Sequence, residues 1–339
     1  MGHFPKIFPC HFYLSNNWRF YEFETVTLPA RSIDIHGDSS YYSLRDPKSV
    51  NTTPYYQNSM SLGIAFKGPE GIVLAADSRV TLTAQQKAPD GPISLIHSTY
   101  DNATKLLHVD GCLNVGVVTY GLGAIGNTQP RTAHSFISEL EKYMKKEKHG
   151  DLVGDFAQTL SNFFAERWVD HGMPKVEEYQ GPDMIFLIAG YDPDAPYGRV
   201  FEVQLPRNPA PKEWHKETFG MVWGGQQDIA TRLLNGYDPQ LMPIIQKMFK
   251  KSDAEMQELR GAIDPIAQMP IPYMFLPLQD SINLSILIIE TTRTLQSYSI
   301  GVRGVGGEID VATITRSGGF KPYREKSVAR LYRREDKEC

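Results

Sequence analysis

Asp77 and Arg79 place a carboxylate and a guanidinium two residues apart at the exit of a short apolar run, residues 72–76. The partner run, residues 62–67, begins directly after Ser61. Both runs are rich in strand formers, and Gly68-Pro69-Glu70-Gly71 between them carries the residue types that tight turns demand. An antiparallel hairpin therefore returns Asp77 and Arg79 to the start of its own first strand. A carboxylate and a cation delivered beside a hydroxyl point to a hydrolase.

The elements that must hold this corner follow from periodicity. Residues 106–109 and 112–119 form a second apolar pair, turning at Asp110-Gly111. They run into Gly121-Leu122-Gly123-Ala124-Ile125-Gly126, where glycine permits close backbone approach. Residues 87–99 carry Pro89, Gly91 and Pro92 and read as an inserted loop. Ala133, Phe136, Ile137, Leu140 and Tyr143 recur at helical spacing after the start signals Thr128 and Pro130, and Leu152, Phe156, Leu160, Phe163 and Phe164 do so again. Strands return at 183–191, 199–205 and 217–222, and helices at 226–250 and 252–269. Leu278, Ile282, Ser285 and Ile289 mark a last long helix, and Gly306-Gly307 opens a closing strand through Ile309, Val311 and Thr313. This order predicts an α+β fold of two antiparallel sheets covered on their outer faces.

At 339 residues, 41% of them hydrophobic and 22% charged, the chain can bury a large core, which excludes disorder throughout. A net charge of −4 with dispersed basic residues gives no footprint for nucleic acid. Cys10, Cys112 and Cys339 are odd in number, far apart and without C-x-x-C spacing, so a reducing cytoplasm is expected, with neither a disulfide framework nor a zinc site. No basic segment followed by an apolar one opens the chain, and no run approaches the roughly 20 apolar residues of a membrane span, so neither export nor membrane insertion is expected. Lys6 stands where an acylation motif wants Ser or Thr. The nine histidines form no H-x-x-x-H pair, so no metal is expected, and His171 beside Asp170 reads as a helix-end charge pair. Gly121-x-Gly123-x-x-Gly126 spells a dinucleotide fingerprint but lacks a parallel β-α-β unit and a later acidic partner, so no cofactor is expected. Residues 1–59 are dense in aromatic residues, follow no period and end in a polar, turn-prone linker. They read as an extension or propeptide-like segment, 60–320 as the folded domain, and 321–339 as a charged, solvated tail able to dock a partner.

The Ala65-Phe66-Lys67 strand, the turn and Ala75-Ala76-Asp77-Ser78-Arg79 together resemble the proteasome β-subunit family of N-terminal nucleophile hydrolases. Mature chains of that family begin Thr-Thr-Thr, run through a similar Ala-Phe-Lys strand and reach Ala-Ala-Asp-Ser-Arg at the same spacing. The resemblance covers residues 61–316, most strongly 66–79. Asp192 after Ile188-Ala189-Gly190-Tyr191, and Gly224-Gly225 before a helix, are similar to the family too. It implies a four-layer α-β-β-α sandwich with Ser61 at the nucleophile position, Asp77 on the family aspartate and Lys105 on the family lysine beyond the inserted loop. It also implies the Gly121 backbone N–H facing a developing oxyanion, and Arg79 as a supporting charge. In this chemistry a hydroxyl at a free N-terminus uses its own α-amine, of intrinsic pKa about 7.7–8.0, as proton acceptor. A neighbouring lysine lowers the pKa of nucleophile or amine, and an aspartate holds that lysine.

The sequence departs from the family at named places. Met60 stands where family precursors carry glycine, Gly225 where a serine is expected, the helix exit Leu295-Gln296-Ser297-Tyr298 offers no aspartate, and Val305 replaces another serine. Initiation at Met60, with removal of that Met before a small residue, would expose Ser61. A retained extension would leave an amide there. The resemblance implies an endopeptidase acting on peptide or unfolded-protein substrates within a ring of like or related subunits, a self-compartmentalised protease served by an ATPase activator. A non-catalytic ring or scaffold subunit of the same fold, and a small-amide hydrolase on the related fold, are the alternatives.

Overall fold

The computed structural model describes residues 61–87, 93–109, 111, 114–126, 129–147 and 152–326. The extension 1–59, Met60, Pro89, Gly91, Pro92, Asp110, Thr128, the three cysteines and the tail beyond residue 326 lie outside the described residues. The hairpin of β1 (Leu62–Lys67) and β2 (Ile72–Asp77) pairs Gly63 with Ala76 and Lys67 with Ile72, and its turn closes by a bond from Gly68 N to Gly71 O of 2.9 Å. Every residue of both strands is buried. That explains the unbroken apolar runs: a strand covered on both faces has no solvent side to mark with polar residues.

Five strands form the first sheet, in the order β10 (Gly220–Gly225), β1, β2, β11 (Ile309–Thr315), β12 (Gly319–Arg324). A second five-stranded sheet runs β5 (Leu106–Leu107), β6 (Val115–Gly121), β7 (Met184–Gly190), β8 (Arg199–Leu205), β9 (Asn208–Trp214). All of their pairings are antiparallel. Leu62, Ile64 and Phe66 pack with Ile282, Ile288 and Ile289 of the long helix α6 (Leu278–Tyr298), whereas Ala65, Leu74 and Ala76 pack with Val118, Tyr120 and Leu187 of the second sheet. Gly63 makes that sheet-to-sheet approach possible, because a Cβ there would lie 2.6 Å from the Tyr120 ring and 2.7 Å from Val118.

The helices in chain order are α1 (Ile137–Glu147), entered through a 3-10 turn at Ala133–Phe136, α2 (Val153–Asp170), α3 (Asp228–Asn235), α4 (Leu241–Phe249), α5 (Asp253–Ala267) and α6 (Leu278–Tyr298). Phe156, Leu160, Phe163 and Phe164 of α2 bury themselves with Phe186, Ile188, Phe201 and Val203 on the far face of the second sheet. α5 opens with a capping box, Ser252 accepting from Glu255 N while the Glu255 carboxylate accepts from Ser252 N. Among the described residues no helix is long and apolar enough to cross a membrane.

The structure revises several expected elements. Residues 87–99 are not simply a loop: β3 (Val80–Lys87) and β4 (Ile93–Tyr100) pair as a separate two-stranded ladder from Val80 with Tyr100 to Lys87 with Ile93. In the sequence the Pro and Gly of 89–92 hid the strand signal on either side. β9 was not expected, since Pro209 and Pro211 argue against a strand. It is an edge strand, where a missing N–H is tolerated. The helical stretch 226–250 breaks in two at Gly236, left-handed at φ 79°, and the strand expected at 217–222 runs Gly220–Gly225. β12 carries ordered structure past residue 320, because an exposed edge strand shows the charges of a solvated tail. Asp170 pairs with Arg167 at 2.8 Å, not with His171, whose ring lies edge-on to Phe136 at 5.3 Å.

Phe164 is fully buried among Phe136, Phe163 and Phe186. Phe164→Ala is expected to lower the unfolding free energy by about 3–5 kcal/mol, read as a lower urea midpoint at unchanged slope.

Candidate active site

β2 ends by driving Asp77 into the protein, where its side chain has no solvent exposure. A buried carboxylate must have its oxygens satisfied, and here four donors converge. Oδ1 accepts from Leu62 N at 3.0 Å and from Lys105 Nζ at 2.6 Å, and Oδ2 accepts from Arg79 N at 3.1 Å and from Gly306 N at 3.0 Å. Lys105 is buried as well and gives a second bond to the Arg79 carbonyl, 2.5 Å. Burial pushes the Lys105 ammonium below the ordinary lysine range. Asp77 opposes that shift, and the cations of Lys326 and Arg79 add to it.

Ser61 stands immediately before β1, buried, and its carbonyl accepts from Gln226 N at 2.7 Å. Ser61, Lys105, Thr119, Gly121, Gly123 and His134 are among the walls of one cleft of about 150 Å³. Gly121 ends β6 at φ 87°, and a Cβ there would sit 2.1 Å from the Asp183 carbonyl oxygen, so only glycine fits. The expected residues Ser61, Asp77, Lys105 and Gly121 are thus brought together, although Gly121 and Lys105 come from a different sheet region than Ser61.

Arg79 contributes in another way than its charge alone led one to expect. Its backbone N–H and carbonyl serve Asp77 and Lys105, while its guanidinium turns away to grip Asp101 through two bonds of 2.5 and 2.8 Å, with a longer contact of 3.4 Å to the Arg303 carbonyl. Asp101 holds the Arg79 pKa above its usual value, and Arg79 holds the Asp101 carboxyl below its own.

Several residues of this corner carry no local signal. Lys326 Nζ bonds Asp310, the Ala103 carbonyl at 2.9 Å and Ser78 Oγ at 3.4 Å. It ties the segment after β12 to the residues flanking Asp77 and Lys105. Nothing in the charge pattern of residues 321–339 marks Lys326 out, because its partners lie far away in sequence. Around Gly225 and Val305 neutral amides bond one another: Gln296 donates to Gln226 and accepts from Val305 N at 3.0 Å. The departure from the family pattern could have flagged Gln296, but not its pairing with Gln226.

Gly121 ends β6, Gly123 and Gly126 follow it in an irregular segment, and the described strand pairings are antiparallel, whereas the dinucleotide fingerprint belongs to a parallel β-α-β unit. Among the described residues no group of three or more His, Cys, Asp or Glu side chains is arranged to hold a metal ion. No protein-family model and no curated protein matches this chain.

Lys105→Met leaves the buried Asp77 carboxylate without a cation. It is expected to destabilise the protein by about 3–5 kcal/mol in urea unfolding. Arg79→Met, which breaks a pair whose carboxylate is 46% exposed, is expected to cost no more than about 1 kcal/mol through that pair.

Proposed function

We propose that this chain is an N-terminal nucleophile hydrolase similar to proteasome β-subunits, cleaving peptide bonds with Ser61. The observation that carries the reading is the buried Asp77–Lys105 pair, in which Asp77 is bonded to the backbone at the head of β1 and Lys105 lines one small cleft with Ser61 and Gly121. The two antiparallel sheets, with α2 packed on one and α6 on the other, support assignment to the four-layer α-β-β-α sandwich.

In the proposed reaction the Ser61 hydroxyl oxygen attacks the substrate carbonyl carbon while the α-amine of Ser61 takes the hydroxyl proton. Lys105 favours loss of that proton by its positive charge, and Asp77 keeps the ammonium in place. The Gly121 N–H stabilises the oxyanion. Collapse expels the amine of the leaving peptide, which takes the proton, and leaves an ester on Ser61. Water then hydrolyses the ester, with the α-amine again accepting a proton. The chemistry needs Ser61 to be the first residue. We further propose that the active form works in the cytoplasm in a ring of like or related subunits on peptides or unfolded protein, delivered by an ATPase activator.

One observation favours a second reading, a non-catalytic subunit of the same fold. Beside Gly225 and Val305, which stand where the resemblance implies serines, the uncharged Gln226 and Gln296 side chains bond each other, and no charge or hydroxyl is supplied by them. A small-amide hydrolase on the related fold is separated from both by size, since a chambered protease sediments at hundreds of kilodaltons.

Intact mass and terminal sequencing of protein purified from its own cells are expected to show a chain beginning at Ser61. That chain should hydrolyse fluorogenic peptides and be labelled by a β-lactone or epoxyketone. Ser61→Ala and Lys105→Ala should each lower kcat/KM by on the order of a thousandfold or more. A mature chain that retains residues upstream of Ser61 and resists labelling would instead establish the non-catalytic subunit.

A further inference from the structure

A second cavity does not open on Ser61. It measures about 690 Å³ and lies where β10, the edge of the first sheet, faces β8 and β9 of the second. Its walls include Tyr120, Trp214, Phe219, Trp223 and Tyr273, and Glu202 lines it too. On β8 the residues alternate: Phe201 and Val203 pack toward α2, so Glu202 points into the space between the sheets with Val200.

Glu202 is only 7% exposed, yet its carboxylate has neutral partners alone among the described residues. Oε1 accepts from Gln204 Nε2, and Oε2 accepts from Trp214 Nε1 at 2.6 Å. Each oxygen therefore keeps an acceptor position. The cations nearby are committed elsewhere. Lys212, opposite Glu202 in register, is exposed and stacked on Trp214 with Nζ 3.7 Å from the ring centroid. His215 on the cavity wall has its pKa lowered by burial and by Lys67, which disfavours the imidazolium. Tyr120 remains a neutral phenol well above its usual range, because burial and the negative charge of Glu202 both oppose ionisation.

A buried carboxylate with no counter-ion among the described residues, at the wall of a roomy aromatic cavity, is complementary to a cationic ligand. We propose that this cavity binds an alkylguanidinium, with Glu202 accepting its two-pronged N–H pair and the aromatic walls covering its planar face. Two parallel N–H donors match two carboxylate oxygens that each have one free acceptor position, whereas an ammonium presents a point charge. Aromatic rings add cation–π attraction for the guanidinium plane. An anion would be repelled by Glu202, and an apolar ligand would bury it further without neutralising it. The site is separate from the hydrolytic cleft: among the described residues Tyr120 alone lines both spaces.

The test uses the full chain, labelled with 15N on tryptophan, titrated with N-butylguanidinium and with its uncharged isostere N-butylurea. Butylguanidinium is expected to bind saturably and shift the Trp214 indole N–H resonance, identified by Trp214→Phe. Butylurea should bind at least about tenfold more weakly. Glu202→Gln, in which the Gln204 amide can turn over to keep its bond, should weaken butylguanidinium by a similar factor while leaving butylurea unchanged. A capped Gly-Arg-Gly peptide beside its citrulline counterpart distinguishes the sources. Arginine selectivity there assigns the guanidinium to a protein or peptide side chain, and selectivity confined to butylguanidinium assigns it to a free small molecule. Equal binding of the two butyl compounds, no shift of the Trp214 resonance, or undiminished binding by a folded Glu202→Gln would overturn the proposal. Should that variant fail to fold, charge selectivity and the Trp214 shift in the unaltered protein decide it.

Discussion

A carboxylate with no solvent exposure cannot be held in a protein unless donors are brought to it, and Asp77 sets the terms for the corner of the fold that contains Ser61. Its four donors come from the start of β1, from the residue after next, from Lys105 beyond the β3–β4 ladder and from Gly306 after α6. Apart from Arg79, two residues on, the donors come from separate chain segments, so satisfying one charge draws together parts of the chain that are distant in sequence. The lysine in turn is buried and has to be positioned by its own second partner, the Arg79 carbonyl. The pair is costly to desolvate, which is a reason to look for chemistry in it and not for stability alone.

The stacking of the sheets follows from the same hairpin. β1 and β2 are apolar on both faces because α6 covers one and the second sheet covers the other. Gly63 admits the Tyr120 ring, and Tyr120 thereby separates the cleft at Ser61 from the larger cavity at Glu202. One buried carboxylate has a lysine and the other does not. The difference lies in what crosses the gap between the sheets: a lysine reaches Asp77 from the segment before β5, while the lysine opposite Glu202 stacks outward on Trp214.

The margin of the site joins charge to neutrality. Lys326, bonded to Asp310, Ser78 and the Ala103 carbonyl, ties the segment after β12 to the residues that flank Asp77 and Lys105. On the other side, Gln226 binds the Ser61 carbonyl through its backbone and Gln296 through its side chain. A glutamine pair preserves hydrogen-bonded geometry around Ser61 without supplying a charge.

The sequence by itself determined what neighbouring residues decide. The hairpin was legible because its apolar runs are continuous and its turn is made of Gly and Pro. α2 and α6 were legible because one apolar stripe recurs along each. The delivery of Asp77 to the head of β1 needs only that hairpin. Lys105 and Gly121 were reached through a motif resemblance, and their meeting with Ser61 depends on how the second sheet lies against the first. Tertiary structure alone decided that Arg79 grips Asp101, that Lys326 reaches Ser78, and that β4, β9 and β12 are strands. An edge or solvated strand buries no continuous face and tolerates proline and charge, so it leaves little periodic trace. An ion pair between distant segments leaves none, since its energy depends on a desolvated separation that only the folded chain creates.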